Sequence, residues 1–524
     1  MMYESTLARR SVLTGSLAVV LGATTLGSRA AAQEPTAPAR LANLASPASP
    51  ANLASSAEQA QGPFWVVDGL LDLADENALG LPQAERAETV TIFAPGEEDL
   101  QFNHGVVLMP FRGRLYAQWQ SSVRDEDAPE TIVTYAVSED GTTWSDPVPL
   151  TRPRTDGYTS SGGWWTDGET LVAYLNVWPA DLEPRGGYTQ YVTSTDGVTW
   201  SDPERVTDLE GRSVDGIIEQ DTRALPSGRL LTAFHVQPGL VVKPYYTDDP
   251  LGITGWTQGD FENQPHLEGE MSRELEPSWY ARPDGAAVMV FRDQGGGTMR
   301  KLGAVSLDEG QTWTTSELTN VPDSRTKQSA GNLPDGTAFL VGNPTGTKNR
   351  YPLSVLLSAD GEEFDVGYTL RDENDLQERR YEGQYKSAGY SYPKSVLWGD
   401  HLYIAYGTNK EDAELTRVPV QDLTQRSVPG RVGRPEVRAS RGRVLTVTWP
   451  AAEEGDSPVT GFVVTASSRS GRSAQVSVEG SASEATLTGL HPGRYQVQVV
   501  AENAYGPGPA SAPSRWVVVT GRPQ

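Results

Sequence analysis

Two acids stand in Glu274-Leu275-Glu276-Pro277, ahead of a stretch that ends in Arg292-Asp293. Gly342-Asn343-Pro344 leads to Arg350, and Gly389-Tyr390-Ser391-Tyr392-Pro393-Lys394 precedes the alternating run around Leu402-Tyr403-Ile404. Glu219-Gln220-Asp221-Thr222-Arg223 opens a segment ending at Phe234-His235, in the same phase as Glu276 to Arg292. Glu219 and His235 would then line the same pocket, unless they form a polar contact between sheets. Trp164-Trp165, after Gly162-Gly163, offers either a sugar-stacking face or inter-sheet packing. Arg300-Lys301 and Lys327-Gln328 could hold an anionic sugar. These side chains suit proton transfer and anion binding. There is no cysteine, which removes disulfides and thiolate chemistry. Five histidines leave little room for a histidine-based metal cluster, and no cofactor is expected.

The elements that carry these residues repeat. Ser138-Glu139-Asp140-Gly141-Thr142-Thr143-Trp144 recurs as Ser194-Thr195-Asp196-Gly197-Val198-Thr199-Trp200 and as Ser306-Leu307-Asp308-Glu309-Gly310-Gln311-Thr312-Trp313. A weaker copy begins at Ser358, and Thr247-Asp248-Asp249 with Gly252 and Trp256 fills the gap. The starts at Ser138, Ser194, Ser306 and Ser358 lie 56, 112 and 52 residues apart. That period signals a propeller or solenoid, whose units need their neighbours to bury their faces. Asp and Gly make a hairpin turn, Ser caps it, and Trp fills the space between sheets. Residues 62–425 hold about six such four-stranded units. This Asp-box motif marks architecture. A propeller site is expected at one mouth of the channel, with residues scattered over several blades.

The formal charge of the 524-residue chain is -25, with 43 basic and 68 acidic residues. Such a field repels nucleic acid and anionic membranes. Residues 1–32 place Arg9-Arg10 before a short apolar stretch that ends in Ala30-Ala31-Ala32. This reads as a twin-arginine-type export signal, so a secreted protein without a membrane span is expected. Residues 33–61 are an Ala/Pro/Ser linker. A monomer is expected.

Residues 430–524 change character, with ten Arg, no Lys and seven acids. The strand Leu445-Thr446-Val447-Thr448-Trp449 and the run Tyr495-Gln496-Val497-Gln498-Val499-Val500-Ala501-Glu502-Asn503 before Gly506 resemble a fibronectin type III sandwich. The fold class is therefore all-β: a six-bladed propeller followed by an immunoglobulin-like sandwich.

Over residues 64–422 the order of motifs resembles the sialidase superfamily. In that family Glu-Pro opens a strand ending in Arg, Asn-Pro precedes another Arg, and Tyr-Ser opens the last blade. The resemblance implies that Arg292 and Arg350 are two arginines of a three-arginine carboxylate clamp, suited to it by bidentate pairing. It implies Tyr392 as nucleophile, or Tyr390 if the register slips, with Glu276 polarising it. The loop Arg124-Asp125-Glu126-Asp127 stands where the family has its acid/base; Asp125 is the first choice and Asp127 the second. The first blade departs from the pattern. His104, or Asn103, falls where the first clamp arginine belongs. The implied activity is retaining hydrolysis of a terminal, anionic sugar from a glycan or polysaccharide, with no metal required. Two alternatives are a polysaccharide lyase in which His104 and a Tyr act on a uronic acid, and a carbohydrate-binding propeller without catalysis.

Overall fold

The computed structural model describes residues 62–520, apart from 425, 426, 456 and 504. The expected export signal, residues 1–32, and the linker up to residue 61 lie outside the described residues. The described chain is built almost wholly of strands; its helical pieces are Glu373–Asp375 and Val420–Thr424. No helix among the described residues is long and apolar enough to cross a membrane.

Residues 88–419 form six antiparallel sheets of four or five strands. The inner strands of the first five, in chain order, are Phe102–Phe111, Gly157–Thr166, Gly216–Ile218, Glu274–Ala281 and Ser329–Asn332. The sixth begins at Tyr390–Trp398 and borrows its outer strand, Glu88–Phe93, from the start of the propeller region. No sheet closes on itself. The sheets instead pack face to face in a cycle. Val133 and Tyr135 of the first sheet meet Ala173 and Leu175 of the second. Tyr403 and Leu415 of the sixth meet Leu108 and Trp119 of the first. Each of the four remaining cores also joins two successive sheets. Burial is thus shared, which is why one repeat could not fold alone.

The Asp boxes form the outer turns. In the second sheet the Asp196 carboxylate accepts the Val198 and Thr199 amides at 2.8 and 2.7 Å, and the Ser194 hydroxyl accepts the Gly197 amide at 2.8 Å. Gly197 needs to be glycine. Its φ is 74°, and a Cβ there would lie 2.0 Å from the Tyr116 hydroxyl. The degenerate copy works alike, with Asp249 accepting the Ile253 and Thr254 amides at 3.0 and 2.8 Å. Trp200 packs on the core of the first and second sheets, and Trp313 on that of the third and fourth.

The C-terminal sandwich pairs Glu436–Ser440, Val444–Thr448 and Glu484–Leu487 in one sheet. Gly461–Ser468 and Gly493–Asn503 lie at the centre of the other. Trp449, Phe462, Leu487 and Tyr495 fill the space between.

Candidate functional site

Four inner strands carry a bulge. The register shifts between His104 and Val107, Ser161 and Gly163, Leu275 and Ser278, and Ser391 and Lys394. Each bulge contains a residue with positive φ: Gly105 (67°), Gly163 (86°), Glu276 (50°) and Tyr392 (59°). The third sheet breaks its inner strand altogether, between Ile218 and Arg223, and lets Glu219 and Gln220 out. A bulge re-aims a side chain out of the pleat. Here the bulges turn His104, Glu276 and Tyr392 onto one cavity, together with Glu219, Gln220, His235, Lys327, Glu126 and Asp127.

Polar side chains fix the bulges. Gln220 donates to the Gly105 carbonyl at 2.9 Å and the Ser161 carbonyl at 3.1 Å, tying the first two bulges together. Gln328 donates to the Glu276 carbonyl at 3.0 Å and is held in turn by Lys301 at 2.7 Å.

At the centre the Tyr392 phenol donates to the Glu276 carboxylate. Arg292 Nη1 lies 2.9 Å from the other oxygen of Glu276 and 3.4 Å from the phenol oxygen. Burial raises the pKa of Glu276. Arg292, Lys327 and the hydrogen bond from Tyr392 outweigh it and hold the carboxyl at about 2. Desolvation and the Glu276 charge push the Tyr392 phenol well above its ordinary value, against Arg292 and Arg350. The resting pair is therefore phenol and carboxylate. Arg350 lies over the Tyr392 ring at 5.6 Å and donates to the Ser391 hydroxyl at 2.9 Å. Lys327 sits 5.2 Å from the same ring and 2.9 Å from Glu219.

His104 packs on Tyr392, with ring centroids 4.2 Å apart. It is 2 % exposed, and neither ring nitrogen has a partner. Burial, then Lys410, Arg350 and Lys327, drive its pKa well below 6.5, so the imidazole is neutral. His235 is buried with Nε2 3.6 Å from Glu219.

Several expected residues lie elsewhere. Asp125 is not on the cavity wall; its side chain accepts the Gln384 amide and faces Arg124. Asp127 lines the wall and accepts from Tyr158 at 2.9 Å and Arg185 at 2.8 Å. Asn103 is a buried brace: it donates to the Leu100 and Glu411 carbonyls and accepts from Trp119 and Ser121. Tyr390 belongs to the core between the fifth and sixth sheets, and its hydroxyl donates to the Asp372 carbonyl at 2.8 Å. Trp164 is packing, with Nε1 on the Val107 carbonyl at 3.0 Å. Lys301 is buried against Asp323 at 2.7 Å, and Arg300 is exposed.

The sequence reading missed Tyr158, Trp178, Arg185, Glu126 and Gln220 on the wall. Tyr158 and Trp178 face each other across paired strands, 5.8 Å apart and nearly parallel.

Fold and cavity together define an Asp-box propeller with acids, cations and two phenols, those of Tyr158 and Tyr392, lining one cavity. Residues 113–404 match the profile of the BNR repeat-like domain family, and residues 430–516 match the fibronectin type III domain. The chain belongs to the BNR repeat-like domain family and carries a fibronectin type III domain. A Hadza microbial sialidase is similar at 14 % identity and a TM-score of 0.50, over 64 % of this chain and 68 % of that one. A protein of unknown function from Dyadobacter fermentans aligns over 63 % of this chain and 98 % of its own, at 17 % identity and a TM-score of 0.49. Trypanosoma rangeli sialidase aligns over 81 % and 86 %, at 12 % and 0.45. At these identities the likeness is one of fold.

Proposed function

We propose that this chain is a secreted, retaining glycoside hydrolase that removes a terminal sugar from a glycan or polysaccharide. The observation that carries the reading is the Tyr392 phenol bonded to Glu276, with Arg292 on both. Tyr392 would attack the anomeric carbon while Glu276 takes its proton. The cavity is about 190 Å³, below the range of about 300–1,000 Å³ usual for drug-sized ligands. That suits one terminal residue rather than a length of chain.

Charge bears on the substrate. Arg185, Lys327, Arg292 and Lys410 each face an acid, namely Asp127, Glu219, Glu276 and Glu126. Arg350, set behind the cavity wall over the Tyr392 ring, donates to the Ser391 hydroxyl and pairs with no acid among the described residues. One unbalanced cation favours a singly anionic sugar. With neutral His104 in place of an arginine, its carboxylate would be held less firmly than by three guanidinium groups.

The test is a panel of 4-nitrophenyl and 4-methylumbelliferyl glycosides of sialic, uronic and neutral sugars. The anomer first formed is read by NMR. Release of sugar with retained configuration, abolished in Tyr392→Phe, is expected. Inversion, or full activity in Tyr392→Phe, would overturn the reading.

A second reading has one observation of its own. Neutral His104 packed at a tilt against Tyr392 is also an arrangement for proton abstraction beside a uronic-acid carboxylate. Ultraviolet absorbance from an unsaturated product of polyuronide would establish that lyase.

A further inference from the structure

Cleavage of a glycosidic bond needs a proton for the departing oxygen, delivered from the side away from the nucleophile. Among the cavity acids, Glu276 is engaged by Tyr392 and Arg292, Asp127 by Tyr158 and Arg185, and Glu126 by Lys410. His104 packs on Tyr392 itself, on the nucleophile's side. His235 is different. It comes from the third sheet, lines the same cavity, is 5 % exposed and has an unpartnered Nε2 beside Glu219. One ammonium, Lys327, bridges from Glu219 to the Tyr392 ring, so the two walls face one small space.

We infer that His235, beside Glu219, is the proton-transfer group for the leaving oxygen; the inference rests on Tyr392 being the nucleophile. An imidazole with a carboxylate as its neighbour is suited to this task. In the first step the Tyr392 proton passes to Glu276 and the phenol oxygen bonds to the anomeric carbon. The bond to the leaving oxygen breaks, and that oxygen takes the proton of the His235 imidazolium. In the second step neutral His235 takes a proton from water and the hydroxide bonds to the anomeric carbon. The tyrosyl bond breaks, and Tyr392 recovers its proton from Glu276. Burial, joined by Lys327, outweighs Glu219 and holds the pKa of His235 below its ordinary value, so the imidazolium that the first step uses is favoured by acidic conditions. Glu219 thus acts on His235 as a counter-charge.

The test compares the full chain with His235→Ala, Glu219→Gln and Asp127→Ala, each checked for an unchanged melting profile. The substrates are the 4-nitrophenyl glycoside and the methyl glycoside of the sugar that the unaltered chain cleaves. A nitrophenolate leaves without a proton, whereas a methoxide does not. His235→Ala should lose about 100–10,000-fold on the methyl glycoside and less than about tenfold on the 4-nitrophenyl glycoside, with azide restoring turnover as glycosyl azide. Glu219→Gln should show the same split more weakly. If His235→Ala melts early, the split in Glu219→Gln decides. Equal losses on both substrates, or the split appearing in Asp127→Ala instead, overturn the inference and leave the hydrolase reading standing. No cleavage of any panel sugar by the unaltered chain defeats that reading itself.

Discussion

Glu276 and Tyr392, on different sheets, both occupy the left-handed region of backbone space and meet through a phenol-to-carboxylate hydrogen bond. The equivalent bulge positions in the first two sheets are Gly105 and Gly163. A side-chain-bearing residue in that conformation costs about 1–2 kcal/mol. The bulges therefore hold strain where Glu276 and Tyr392 leave the pleat, and glycine in the first two sheets.

Removing either partner should be severe for turnover and milder for folding. Glu276→Gln should cost about 100–10,000-fold in kcat and leave KM little changed. Pre-steady-state kinetics with a 4-nitrophenyl glycoside would show the first, glycosylating step slowed. A change in KM alone would place Glu276 in binding.

Acidification should weaken the fold in two windows. Glu276 ionises at about 2 in the folded chain against 4.5 for a free side chain. A depressed carboxyl contributes stability above the unfolded value, and that contribution disappears as pH falls from 4.5 to 2. His104 is neutral when folded and charged below 6.5 when unfolded, so its share starts to fade at higher pH. The Tm of Glu276→Gln should be flatter below pH 4.5, and that of His104→Ala flatter between pH 6.5 and 4.5.

His104→Arg would add a cation beside Lys410, Arg350 and Lys327. Its Tm should fall in buffer and recover when N-acetylneuraminate or glucuronate is added. The unaltered chain should respond less. His104→Ala should lose about 10–100-fold in kcat/KM, or about 1.4–2.7 kcal/mol.

Gly163→Ala probes the bulge itself. Its new Cβ would stand 3.0 Å from Gln220 Cα at φ 86°. A loss of about 1–2 kcal/mol is expected, with activity falling because Gln220 braces the cavity. In contrast, Asp196→Ala should cost about 0.5–2 kcal/mol, as loss of a capping carboxylate does, with kcat unchanged. Denaturant melts and kcat measured side by side would separate wall from scaffold.

The turns were legible because each Asp box is a complete local hydrogen-bonding unit of a few residues, and its period counts the sheets. Glu276, Arg292 and Tyr392 could be placed near one another by the resemblance of their motifs to the sialidase superfamily, and Glu219 and His235 beside them because strand phase repeats from sheet to sheet. Finer choices were hidden by the bulges. An extra residue between Ser391 and Lys394 breaks the alternation, so strand phase cannot tell Tyr390, which faces the core, from Tyr392. Asp125 and Asp127 lie on a loop whose shape depends on Gln384 and Arg185, remote in sequence. Asn103 is polar yet wholly buried, and only the neighbours of its amide reveal a brace.

The sixth sheet, which carries Tyr392, is completed by Glu88–Phe93, more than 300 residues earlier in the chain. The ring is thus a clasp whose two halves are made at opposite ends of synthesis of the propeller. Until Asp412–Pro419 emerges, Glu88–Phe93 has no strand to pair with, and its edge stays open to unwanted partners. The consequence is all-or-none assembly: a chain that stops before the clasp shuts has neither a closed ring nor the cavity that Tyr392 lines.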